Sequence, residues 1–126
     1  RWIKFPVRTL AADKDVPIDL SNMQRYSNGN KDEERHFVQL FFRQNDKALK
    51  LLQENCVEGK NVSWTETAHL LKSGAASIGA AHLYTLCNQA QAQVDVTMQE
   101  RQQQLDAIYA EVRRIQKFLI VQGLIS

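Results

Sequence analysis

Sharp turns are scarce in this chain. Five glycines and two prolines in 126 residues leave few positions with the backbone freedom, or the fixed φ, that a many-turned β fold consumes, and so favour long helices. The only two cysteines, Cys56 and Cys87, lie in segments of helical character without CxxC spacing, the pattern of reduced thiols in a cytoplasmic protein rather than of a disulfide scaffold. Charge of one sign is also lacking. Sixteen basic and fourteen acidic residues leave +2 spread along the chain, with no basic stripe to bind nucleic acid or a membrane surface. No strictly apolar run exceeds Phe118 to Val121, far short of the ~20 residues that span a bilayer, and the first residues hold no apolar segment of signal-peptide length. Arg1 stands where an initiating Met would be, so excision from a longer protein, or processing, is expected.

What is present is ordinary soluble composition, 44% hydrophobic and 24% charged, in a length that suits one domain with a modest core. Residues 1–17 read as an N-terminal extension or linker. Trp2, Ile3, Phe5, Val7 and Leu10 are apolar but Pro6 and Pro17 interrupt them, which fits an interdomain connector or a short packing helix equally well. The domain proper is taken as residues 18–126. After Pro17, Asp19 and Ser21 are candidate caps for a short helix ending near the Asn28-Gly29-Asn30 turn. From about Lys31 to Val57, Phe37, Phe41, Ala48 and Leu52, joined by Leu40 and Leu51, recur at helical spacing up to a stop near Gly59. Ser63-Trp64-Thr65-Glu66 has the Ser-x-x-Glu form of a capping box, predicting a helix to about Ile78 and a break at Gly79. A fourth helix from Ala80 or Ala81 carries Leu83, Leu86, Cys87, Ala90 and Val94 on one face. Asp95 to Thr97 marks a break, Thr97-Met98-Gln99-Glu100 repeats the capping form, and Leu105, Ile108, Val112, Ile115 and Leu119 define a last helix ending near Gly123. The expected fold is all-α, an up-and-down antiparallel four-helix bundle with a short additional N-terminal helix.

The helix beginning at Trp64 has a distinctive phase. At about 100° per residue, Trp64, Ala68, Leu71, Ala75 and Ile78 fall within about 40° of one direction, a core stripe. His69 then lies about 140° away and Lys72 about 80°, on the same side, so the imidazole is predicted to be wet and within a turn of a cation. Thr65, Ser73 and Ala76 surround it with small side chains that a partner's backbone can approach, and Leu70 flanks it as an exposed apolar docking residue. Gln91 stands twelve positions after Gly79 and His69 ten before it, each roughly 15 to 18 Å from the turn. At that height a glutamine carbonyl can accept from Nδ1, fix the tautomer and leave Nε2 as nucleophile. An exposed imidazole near a cation on a flat surface suits a transferable anionic group, and a phosphoryl group fits best.

His69-Leu70-Leu71-Lys72, followed by Ala75-Ala76-Ser77-Ile78-Gly79-Ala80 and then Leu83 and Cys87, resembles the signature of histidine-containing phosphotransfer (HPt) domains. The likeness extends over roughly residues 18–119. It implies a four-helix bundle whose histidine accepts a phosphoryl group from a receiver domain's aspartyl phosphate and passes it to another receiver. By this resemblance His69 is the phospho-acceptor, Lys72 the cation that offsets charge on the phosphoryl oxygens, and Gln91 a polar position that orients the imidazole. Many members carry Gly directly after the lysine, where this chain has Ser73 followed by Gly74. Serine is still small, so the departure bears on affinity or partner choice. The docking residues expected are Leu70, Ser73, Gly74, Ala76 and Thr65.

The implied role is a phosphocarrier without turnover of its own, either free or as the terminal domain of a hybrid sensor kinase. It binds response-regulator or hybrid-kinase receivers as a monomer, with no nucleic acid, membrane, metal or cofactor, and Mg2+ is expected only in the receiver. A phosphate-independent helical interaction module is the alternative, although such a degenerate bundle is expected to lose the histidine or the lysine. No nucleotide-binding glycine motif or second catalytic group supports an autonomous enzyme. His36 and His82 read as incidental surface groups, and the three histidines and two cysteines show no close zinc-ligand spacing.

Overall fold

The structure, a computed structural model, describes residues 16–125. The choice between connector and packing helix for the segment carrying Trp2 to Leu10 lies outside that range. Five helices follow: α1 (Ser21–Ser27), α2 (Lys31–Glu54), α3 (Val62–Ile78), α4 (Ala81–Gln91) and α5 (Met98–Val121). The last four close a bundle in which α2 packs on α3, α3 on α4, α4 on α5, and α5 returns to α2, while α1 leans on α2. The all-α bundle with a short extra N-terminal helix is therefore the fold.

The bundle holds because each helix buries the stripe its sequence period defines. Trp64, Ala68, Leu71, Ala75 and Ile78 of α3 and Leu105, Ile108, Val112, Ile115 and Leu119 of α5 are all buried, and such burial supplies most of the stability of helices this length. On α2 the true inner face is Val38, Phe41, Asn45, Ala48, Leu49 and Leu52. Leu40 and Leu51, expected to join it, are 38% and 44% exposed, because the helical period turns them to the flanks of a face centred one residue away. Val94 falls outside α4 and is 54% exposed, since the helix ends at Gln91.

Capping decides the ends. The capping box at Thr97 and Glu100 forms as its residues predict, with Glu100 N–H donating to Thr97 Oγ1 at 3.0 Å and Thr97 N–H to Glu100 Oε1 at 3.1 Å. The one expected at Ser63 and Glu66 does not form. Asn61 is the cap instead: it is extended at φ −148°, its Oδ1 accepts from Trp64 N–H at 3.0 Å, and the helix starts two residues earlier than predicted. Asparagine is at least as good an N-cap as serine, so the upstream site wins. Helix α2, likewise capped by Asn30, ends at Glu54, ahead of the predicted Val57. There Asn55 Nδ2 turns back to donate to Leu51 O at 2.8 Å, and the chain enters a two-residue antiparallel pairing of β1 (Gly59–Lys60) with β2 (Asp95–Val96). Ahead of α1, Asp19 Oδ1 accepts from Ser21 N–H at 3.0 Å and from the Ser21 hydroxyl.

One polar group bolts this end of the bundle together. Arg101, in the first turn of α5, has no exposed surface. Its Nη1 donates to Val57 O at 2.6 Å and Gly59 O at 2.5 Å, and its Nη2 to Gln93 O at 3.0 Å and Val94 O at 3.2 Å. The guanidinium also lies 5.4 Å from the Trp64 ring centre. A planar fork reaches two loops at once, and carbonyl dipoles with an aromatic face offset the buried charge, no carboxylate among the described residues pairing with it.

Candidate functional site

The α3–α4 hairpin sets the site. Gly79, at φ 82° and ψ 28°, terminates α3, its N–H bonding back to Ala75 O and Ala76 O, with Ala80 N–H returning to Ala75 O at 2.9 Å. This left-handed cap turns the chain directly into α4. The Gly79 carbonyl also accepts from Asp19 N–H at 2.9 Å, so the segment before α1 braces the hairpin from outside.

With the inner stripe of α3 fully committed to the core, His69 stands exposed on its outer surface. Gln91 meets it at the predicted height: its Nε2 lies 3.2 Å from His69 Nδ1. The remaining amide atom, Gln91 Oε1, is buried with no partner among the described residues. A half-turn of the amide exchanges its two atoms, allowing Gln91 to donate to a bare Nδ1 or to accept from Nδ1–H. The second arrangement leaves the Nε2 lone pair free and outward.

Lys72 is half-buried and leans onto α4, where Nζ donates to Asn88 Oδ1 at 3.4 Å and lies 5.8 Å from the centre of the Tyr84 ring. Neither Asn88 nor Tyr84 was anticipated from the sequence, although Tyr84, Asn88 and Gln91 stand at helical spacings of four and three, a stripe that marks one face of α4. Ser73 Oγ donates to His69 O at 3.1 Å and Thr65 Oγ1 to Asn61 O at 3.4 Å. Both hydroxyls are thus turned onto their own helix, which keeps the surface beside the imidazole low.

Leu70, 65% exposed, and Gly74 face away from Gln91. With Phe41, Ala48, Leu51 and Leu71 they line a groove of about 380 Å³ between α2 and α3. A Cβ at Gly74 would sit 3.9 Å from Phe41, an ordinary contact, so the glycine keeps the groove open rather than avoiding a clash. Ala76 lies apart, in a shallow depression shared with Met23, Tyr26 and Phe37. His36 and His82 are exposed, and among the described residues no three His, Cys, Asp or Glu side chains converge to hold a metal.

Residues 36–118, about two-thirds of the chain and the whole of α3 and α4, which carry His69, Lys72 and Gln91, match the family model of the Hpt domain. The chain belongs to the Hpt domain family. Comparison with curated proteins and with solved structures gives no match. As an Hpt domain it falls within histidine phosphotransfer of two-component systems, in a family of phosphocarriers that engage receiver domains. Among the described residues no helix of the domain is long and apolar enough to cross a membrane. Cys87, wholly buried, has its thiol pushed up to about 12 by burial, opposed by the Lys72 charge. It is packing, not chemistry.

Proposed function

We propose that His69 of this Hpt domain accepts a phosphoryl group from the aspartyl phosphate of one receiver and relays it to the aspartate of another. The observation that carries the reading is the exposed imidazole with Nδ1 3.2 Å from the Gln91 amide, one helical turn from the Lys72 ammonium. With the proton held at Nδ1, Nε2 attacks phosphorus in line, the bond from phosphorus to the aspartyl oxygen breaks, and the receiver carboxylate departs with the electron pair. The product is a phosphoimidazole that the reverse step discharges onto a second carboxylate. Phosphoryl transfer asks mainly for positioning and charge neutralisation. Here Lys72 meets charge on the phosphoryl oxygens, and the receiver brings its own divalent cation; the domain itself needs no cofactor and has no turnover of its own. Leu70 and Gly74 dock the receiver through the groove between α2 and α3, Thr65 and Ser73 allow its loops close to the ring, and Ala76, two turns along α3 from His69, gives it a low surface further on. A monomer in the cytoplasm, where receivers reside, completes the proposal.

The test is transfer from a radiolabelled phosphorylated receiver. Wild-type chain should take up acid-labile label, and His69→Gln, which keeps a polar exposed side chain and the fold, should take up none. Label on the His69→Gln variant would sink the assignment, and a wild type that binds the receiver without taking label would make the domain a phosphate-independent docking module.

A further inference from the structure

Helix α4 is more than a wall behind the imidazole. Its inner side, Leu83, Cys87 and Ala90, has no exposed surface, which pins the helix in rotation. Tyr84, Asn88 and Gln91 consequently form one stripe along the α3 seam. Gln91 touches His69, whereas the other two members of the stripe both engage Lys72, Asn88 through Oδ1 at 3.4 Å and Tyr84 through its ring face at 5.8 Å. A lysine free in solvent samples many rotamers and loses that freedom when it meets a charge. This one is already gathered. Both partners are neutral: an amide oxygen and an aromatic face attract the ammonium while leaving its charge uncancelled. A carboxylate at the Asn88 position would hold it more firmly and neutralise it.

We propose that Asn88 and Tyr84 are positioning residues for Lys72. They keep the ammonium over the seam between α3 and α4, one turn from His69, with its full charge available to an arriving phosphoryl group. This rests on the phosphotransfer reading of His69 and extends it to residues of α4 that touch neither the imidazole nor the phosphoryl group.

Single-turnover transfer from a phosphorylated receiver, measured at saturating receiver and alongside receiver affinity, tests it on wild type, Asn88→Ala, Tyr84→Leu, Lys72→Ala and the Asn88→Ala/Lys72→Ala double variant. Asn88→Ala should slow the saturated rate about threefold to tenfold with affinity unchanged, the size of one ordinary hydrogen bond, as suits a long and exposed contact. In the Lys72→Ala background the same change should slow transfer no further. A merely structural role would slow both backgrounds alike. A second readout needs no transfer: the Lys72 ammonium resonance in ¹H–¹⁵N spectra should shift on Asn88→Ala. Equal fractional losses in the two backgrounds, an unaltered rate in Asn88→Ala, or an unmoved resonance would each overturn the proposal while leaving His69 as acceptor. A wild type that takes no label would overturn both.

Discussion

Replacing Gly79 by alanine should damage this domain more than replacing any other glycine of its turns. The residue holds φ 82° and ψ 28°, where an L side chain costs ~1–2 kcal/mol. A Cβ built there lies 2.5 Å from the Asp19 carbonyl oxygen and 3.5 Å from its carbon. Both are backbone atoms, so no side chain can swing aside. Relief requires moving the segment before α1, which strains the Asp19 N–H bond to the Gly79 carbonyl at 2.9 Å and adds ~1–3 kcal/mol of overpacking. Together the two effects come to ~2–5 kcal/mol. For a domain of this size each kcal/mol lowers Tm by about 3–5 °C, giving a fall of about 6–25 °C. Gly29 is the internal control, because it has φ +83° but nothing within 4 Å of an added Cβ. Gly29→Ala should thus show the conformational cost alone, about 3–10 °C. Thermal unfolding followed by circular dichroism on the two variants separates the contributions. Equal decreases would refute the argument, since the Asp19 contact would then add nothing. The prediction also bears on function, as the turn that Asp19 braces sets His69 and Gln91 at one height.

Gln91→Leu should keep the bundle but free the imidazole, so that transfer slows several-fold and the ring's ¹⁵N shifts move toward the tautomer mixture of an unrestrained histidine; an unchanged spectrum would remove the orienting role. Arg101→Met strips donors from four carbonyls and should cost ~2–4 kcal/mol in urea unfolding. Arg101→Lys should recover little of it, because a single ammonium cannot span two loops as the fork does, and full recovery by lysine would show that charge alone matters. Cys87, its thiol raised by burial from the ordinary 9.0 to about 12, should resist thiol reagents at pH 8 until the domain unfolds. The raised value means that the folded state keeps a proton the unfolded chain releases. Its contribution to stability is present in full below about pH 9 and declines as pH rises from there toward 12. Cys87→Ala should flatten that alkaline decline, and an identical pH profile would contradict the assignment of the shift to burial.

The amino-acid order determined the apolar stripes, and with them the number of helices, the hairpin at Gly79 and the outward face of His69. A 3.6-residue period is a local property, and a helix that buries Trp64, Ala68, Leu71, Ala75 and Ile78 has no alternative but to present His69 to solvent. Helix starts were less legible, because two cap residues can stand two positions apart. Thr97 kept its start because Asp95, two residues ahead of it, is taken up in the pairing with Lys60, whereas Asn61 stood two residues ahead of Ser63 and took the helix start. What folding in three dimensions decided is everything that depends on distance between helices. The rotation of α4 about its own axis places Asn88 and Tyr84 on Lys72, and the lateral offset of α2 leaves a groove beside Leu70. The burial of Arg101 depends on two loops some 35 residues apart, which only the closed bundle brings together. Periodicity fixes which way a side chain faces along its own helix, but which neighbour it meets follows from how helices of unequal length pack around a shared core.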